Sequence, residues 1–249
     1  MRPGATMDRP AVRALGDDAM DIAKFQVFGQ RCSGTNALIR LLEANFPRLR
    51  FCEDTGFKHW LVPGNRVIPP DTAVVVIARR VDDWLHSLHR KPWHAEPALK
   101  ALPFAQFIRA EWRSVWDDDF WGVEAGMPQY GQPIEEERCP QTGRPFANAV
   151  AMRTAKLRNW ISVASRAPVH LLTSHAELTE CPERIVQRFA ALTHIARRED
   201  FQRVDSYKGL GHRRFVPSTY PALEPEDRSF VRDYACPVTE RRFGLTLPE

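Results

Sequence analysis

The chain has 249 residues, 43% apolar and 27% charged, which is enough core-forming material for one large globular domain or two small ones. No window approaches the roughly 18 uninterrupted apolar residues of a membrane span, and Met1 to Asp21 mixes charges, Pro and Gly instead of forming an apolar signal core, so a soluble, non-exported, cytoplasmic protein is expected. Five scattered cysteines without a Cys-x-x-Cys pair argue against a disulfide framework or a structural zinc site, and a net charge of +4 leans toward anionic ligands while falling far short of a nucleic-acid coat.

Residues 1–22 carry little apolar periodicity and read as a flexible leader, with Met7 as a possible start, ahead of an α/β domain over 23–249. Phe25 to Phe28 is a short apolar run ending in Gly29, and Asn36 to Asn45 places Leu38, Leu41 and Leu42 at helical spacing, giving strand, glycine loop and helix. Ala73 to Ala78 is an uninterrupted apolar run dominated by β-branched residues, the pattern of a parallel strand covered on both faces, and a helix from Asp82 follows. The spacing of Phe104, Phe107, Ile108, Trp112, Val115 and Trp116 predicts one amphipathic helix, and that of Val150, Leu157, Ile161 and Ala164 another. Between them, residues 117–148 are rich in Gly, Pro and Glu and lack a sustained period, which reads as an acceptor-facing insertion or lid. Val169 to Thr173 reads as a further buried strand, followed by a helix containing Ile185, Val186, Phe189 and Leu192. Strand and helix alternate throughout, so the fold class is α/β with a central parallel sheet and flanking helices.

Gly29 to Asn36 keeps the two-glycine spacing of a phosphate loop, with Thr35 where nucleotide hydrolases place lysine. Glycines allow backbone N–H groups to turn toward an anion, the new helix adds the positive end of its dipole, and Ser33, Thr35 and Asn36 can donate side-chain hydrogen bonds. The same segment also fits a plain strand-to-helix turn in which Ser33 or Thr35 is only an N-cap. A second cluster follows the Ala73 strand: Arg79 leaves its carboxyl end, where α/β sheets bind ligands, and Ser87 lies eight residues on. A planar guanidinium there suits a phosphate, although pairing with Asp82 or Asp83 is an ordinary alternative.

Arg31-Cys32-Ser33-Gly34-Thr35-Asn36 resembles the 5'-phosphosulfate loop of the PAPS-dependent sulfotransferases, a P-loop family that lacks the hydrolase lysine. The family places Lys or Arg directly before the Ser, whereas here Cys32 intervenes. Arg79 and Ser87 are similar to the family's 3'-phosphate clamp, Asp83 matches its acidic helix start, and Tyr207-Lys208-Gly209-Leu210-Gly211-His212 resembles its late glycine loop, which wraps the same phosphate. Tyr234 and the stretch Glu240 to Leu245 resemble its closing helix and strand. The resemblance implies a P-loop sulfotransferase-like fold and binding of PAPS through Arg31, Cys32, Ser33, Gly34, Thr35, Asn36, Arg79, Ser87, Lys208 and Gly209. The implied reaction transfers a sulfuryl group to a hydroxyl or amine of a small molecule or glycan, most plainly a carbohydrate or glycoconjugate, with no nucleic-acid partner.

In Gly56-Phe57-Lys58-His59-Trp60 the resemblance implies that His59 takes the acceptor proton and Lys58 neutralises charge on the transferred group. Histidine suits this because its ordinary pKa lies near neutrality. Adjacent side chains on a strand diverge, so both reach one site only at a bend, and a buried, hydrogen-bonded core His59 is the alternative. No metal site is expected: His86, His89 and His94 have loose spacing without an evident carboxylate or Cys partner, and they read as lining the acceptor side or covering the nucleotide. Trp93 and His94 read as a sugar platform or as core, and Trp121 and Tyr130 as part of a sugar surface. Two other readings stay open, a P-loop kinase and a non-catalytic glycan- or polyanion-binding protein on a degenerate fold.

Overall fold

The computed structural model describes residues 21–120, 122–206, 211 and 213–249, so nearly all of the expected leader, together with Trp121, Lys208 and Gly209, lies outside the described residues. Four strands, β1 (Lys24–Gly29), β2 (Arg50–Phe51), β3 (Thr72–Ala78) and β4 (Val169–Ser174), form one all-parallel sheet in the order β2-β1-β3-β4. The β-branched run of β3 is buried along its whole length for the reason its composition gives. Ala73, Val75 and Ile77 face one core cluster and Val74, Val76 and Ala78 the opposite one.

On the first face lie α1 (Thr35–Asn45) and α7 (Pro182–Thr193), which contribute Leu38, Leu41, Leu42, Ile185, Val186 and Phe189. On the second lies α5 (Ala149–Ala164), with Leu157, Trp160 and Val163. A third cluster joins the N-terminal part of α5 to α2 (Val81–Arg90), α3 (Pro97–Lys100), α4 (Phe104–Arg109) and α8 (Pro225–Tyr234). The short α6 (His175–Glu180) follows β4, and α9 (Pro237–Arg241) follows α8.

Two expected elements differ. The helix read over Phe104 to Trp116 ends at Arg109: Ala110 is extended, and Trp112 and Val115 form antiparallel bridges to Phe146 and Pro133. Apolar residues at three- to four-residue intervals satisfy a helix pattern, but here pairing with the segment 133–146 takes over after one and a half turns. No closing strand forms over Glu240 to Leu245 either. Gly244 has φ +70°, and Phe243 and Leu245 are instead buried against the second face of the sheet as a capping turn.

Among its described residues the segment 117–148 contains a 3-10 turn, Glu135–Glu137, and the bridge partners Pro133 and Phe146, with no α-helix or named strand before α5. It is nevertheless tied into the interior, since Asp117, Val123, Ile134, Glu137 and Phe146 are buried.

Candidate functional site

The chain enters the sheet at β1, crosses through α1 to β2 on one side, and returns to β3 on the other, which makes the carboxyl ends of β1 and β3 the switch point at whose crevice open α/β sheets bind ligands. Gly29 is in register with Ile77, and Ala78 with Ser174, so the loop after β1, Arg79 after β3 and His175 after β4 emerge side by side. A Cβ on Gly29 would lie 2.7 Å from the Ile77 carbonyl oxygen and 2.8 Å from Ser33 Oγ, so only glycine lets the loop fold back against β3. Cys32 and Gly34 have φ of +65° and +92°, and these left-handed turns aim the loop backbone into α1.

Neither Ser33 nor Thr35 caps α1, whose N-cap is Gly34 without a side-chain hydrogen bond. The N–H groups of the first turn, including those of Thr35 and Asn36, therefore have no capping side chain, which is the arrangement that receives an anion. Ser33 departs from expectation. It is fully buried and both its N–H and its Oγ–H donate to the Gln30 carbonyl, so its hydroxyl fixes the loop and is not a ligand donor. Thr35 is buried at the helix start and Asn36 exposed beside it.

The second cluster meets the first at Cys32. Arg79 Nη1 donates to the Cys32 carbonyl at 3.2 Å, Cys32 Sγ lies 3.7 Å from the Ser87 carbonyl oxygen, and Trp84 Nε1 donates to the Arg31 carbonyl at 2.9 Å. It is Arg80 that pairs with Asp82, at 2.6 Å; Arg79 is left to the crevice, with a buried Nε that has no partner among the described residues. Burial raises the Cys32 thiol pKa, against the weaker pull of Arg79 and Arg31, and keeps it protonated. The backbone at Arg79 is held from behind: Arg153 Nη2 donates to its carbonyl at 2.6 Å while the same guanidinium pairs with Glu240, both side chains being buried. Breaking such a pair costs about 3–5 kcal/mol. Tyr220 stacks below Arg79 and Arg90. The flanks of the late glycine loop are joined by the Ser206–Arg214 bridge, and Phe215 packs edge-on to His175.

Turn residues Phe57 to Trp60 are located by β1 at two points. Gln26, buried in the strand, accepts from Thr55 Oγ1 at 2.6 Å and donates to the Gly56 carbonyl at 2.7 Å. Gly29 N–H donates to the Lys58 carbonyl, and Gly29 O lies 2.6 Å from His59 Nδ1. The carbonyl can only accept, so Nδ1 carries the proton and Nε2 is left as the basic nitrogen. Burial, then the charges of Arg31 and Lys58, lower the His59 pKa well below its ordinary value, so the ring is neutral at pH 7. Lys58 turns aside: its Nζ lies 3.8 Å from Glu53 and over the Phe57 ring, and burial lowers its pKa. The bend required for both residues to serve one site is present, but of the two side chains it is that of His59 that is bonded to the loop, while Lys58 meets it through its backbone carbonyl.

Residues 117–148 bring two charged groups that sequence reasoning passed over. Glu137 is fully buried between Arg31 and Lys156, its carboxyl pKa held far below the usual range by the two cations despite burial. Asp117 Oδ1 lies 2.6 Å from His94 Nδ1, and Asp117 also pairs with Lys100. The expectation that His94 has no carboxylate partner is thus corrected, because the extended segment 110–117, paired to Ala95 through Ser114, brings Asp117 back to it. Asp119 joins them within 4.8 Å, although Lys100 Nζ contacts both acids. His94 stacks on Phe120 at 3.6 Å, and burial and Arg31 lower its pKa to about 4. The half-buried rings of Phe57, Trp60, Trp116 and Phe120 pack together between His59 and His94.

His175 was also missed. Its ring would touch a Cβ on Gly34 at 3.1 Å, and burial with the Arg79 charge lowers its pKa to about 4. The signal available in the sequence was weak except on α5, where Arg153 and Lys156 interrupt the apolar face marked by Val150 and Leu157. A cavity of about 100 Å³ reaches Glu137 from between residues 112–115 and 131–138, but touches no residue of the glycine loop. No known family profile matches the chain. A search of curated proteins likewise finds no significant match.

Proposed function

We propose that the chain is a PAPS-dependent sulfotransferase of P-loop type that moves a sulfuryl group to a hydroxyl or amine, with a carbohydrate or glycoconjugate as acceptor class. The observation that carries the reading is the convergence at one sheet edge of the Gly29–Asn36 loop, the Arg79–Ser87 clamp and a neutral His59 whose Nδ1 is bound to the loop itself. Arg79, with its unpartnered Nε, faces the 3'-phosphate, and the start of α1 faces the 5'-phosphosulfate. Lys208 and Gly209 complete the clamp in this reading. As the acceptor oxygen bonds to sulfur, its proton passes to His59 Nε2 and the sulfur–oxygen bond to the nucleotide phosphate breaks, its electron pair leaving on the bisphosphate.

Thr35 stands where the nucleotide hydrolases place lysine, which disfavours a kinase. The test is a PAPS-dependent transfer screen against sugars, glycolipids and small phenols read by mass spectrometry, with His59→Ala alongside. The reading predicts a product gaining one sulfuryl group and turnover about a hundred- to ten-thousandfold lower in the variant. Acceptor binding without any product would favour the non-catalytic alternative.

A further inference from the structure

We propose that Glu137, supplied by residues 117–148, is a positioning residue that holds Arg31 so that the Nε and Nη2 edge of its guanidinium forms an oxyanion site. Both carboxylate oxygens of Glu137 accept from Arg31 Nη1, at 2.6 and 2.8 Å, and Oε1 also accepts from Lys156 Nζ. The other end of Arg31 is fixed by its carbonyl, which accepts from Trp84 Nε1. Its side chain is only 4% exposed, yet Nε and Nη2 have no hydrogen-bond partner among the described residues.

Buried donors are almost always paired in a folded protein, and the Nε–Nη2 edge presents two parallel N–H groups that match two oxygens of a sulfuryl, phosphate or carboxylate group. Charge points the same way. Arg31 and Lys156 contribute +2 and Glu137 contributes −1, so the buried triad carries +1 beneath the loop. An ion pair needed only for stability would leave no reason to strand one edge, since apolar residues of similar volume serve as well. Of the three glutamates in the turn, only Glu137 is buried, and the adjacent Glu136 carbonyl accepts from the Leu61 N–H, tying the turn to the chain just after His59. The identification of the oxyanion as the donor's sulfuryl group rests on the function proposed above; the oxyanion site does not.

The test is the double variant Glu137→Gln/Lys156→Met, in which Arg31 alone leaves the same buried charge of +1. Folding is checked by circular dichroism and thermal melting. Calorimetry then compares PAPS with adenosine 3',5'-bisphosphate, and a thermal shift compares inorganic sulfate with potassium chloride at equal ionic strength, with Arg31→Met as reference. The ratio of the two nucleotide affinities should fall about tenfold in both variants while bisphosphate affinity changes less than threefold, and the extra stabilisation by sulfate should vanish in both. A folded double variant that keeps the ratio and the sulfate effect overturns the proposal. If wild type binds neither nucleotide yet shows an Arg31- and Glu137-dependent sulfate effect, the oxyanion site stands and the sulfotransferase reading falls. Should the double variant not fold, Glu137→Asp, which keeps the charge and withdraws the carboxylate by one methylene, is judged by the same readouts.

Discussion

Gly29→Ala probes the packing that creates the crevice. The new methyl carbon would sit 2.7 Å from the Ile77 carbonyl oxygen, 2.8 Å from Ile77 Cγ2 and 2.8 Å from Ser33 Oγ. Ile77 belongs to the central buried strand, and Ser33 is fully buried and bonded to the Gln30 carbonyl, so neither neighbour is the free end of a flexible side chain. Either β1 and β3 part at their carboxyl ends or the loop releases its internal hydrogen bond. Overpacking of this kind costs about 1–3 kcal/mol. For a chain of this size that corresponds to a melting point lowered by about 2–12 °C. Gly64→Ala is the control, because its site is open and its φ is ordinary. Differential scanning calorimetry of both variants, with and without adenosine 3',5'-bisphosphate, reads the effect. If Gly29→Ala melts with Gly64→Ala and binds the nucleotide like wild type, the loop does not depend on close approach to β3.

Three further outcomes follow from the same geometry. Arg79→Ala should weaken adenosine 3',5'-bisphosphate by about ten- to hundredfold in calorimetry, since a charge-assisted hydrogen bond contributes about 1.5–3 kcal/mol; an unchanged affinity would remove Arg79 from the clamp. His94 and His175 both have pKa values lowered from 6.5 to about 4, so the unfolded chain takes up protons that the folded chain refuses. Their contribution is complete above pH 6.5 and is lost as the pH falls toward 4, by up to about 3 kcal/mol for the well-buried His94, and thermal melts at pH 7 and pH 4.5 should show the drop. Equal or higher stability at pH 4.5 would contradict the burial of the neutral rings. Replacing residues 117–148 by a Gly/Ser linker should abolish folding as read by circular dichroism, because Arg31 and Lys156 would lose their shared carboxylate; a folded product would show that Glu137 is dispensable.

Local pattern made the sheet legible. The run Ala73 to Ala78 has the pattern of a parallel strand covered on both faces, and the two-glycine loop between a strand and a helix could be read without tertiary information. Where a pattern was compatible with two structures, the tertiary partner decided. Trp112 and Val115 extend the helical spacing of Phe107 and Ile108, but their bridges to Phe146 and Pro133 are invisible in any short window. The charged interior was hidden for the same reason. Glu137 meets Arg31 and Glu240 meets Arg153 across long stretches of chain, and only the intrusion of Arg153 and Lys156 into an apolar helix face gave notice of them. At Ser33 the residue type suits ligand binding, but the hydroxyl donates within the loop, a commitment that residue type alone does not reveal.

The most direct measurement of the central claim is a calorimetric comparison of adenosine 3',5'-bisphosphate, adenosine 5'-phosphate and ATP with magnesium on the wild-type chain. Arg79 lies beside the glycine loop, with Ser87 on the helix packed against it, and in the proposed reading this pair grips the 3'-phosphate. The account predicts that the bisphosphate binds at least tenfold more tightly than either of the others. Equal affinity for the bisphosphate and the 5'-phosphate, or preference for ATP with magnesium, would contradict it.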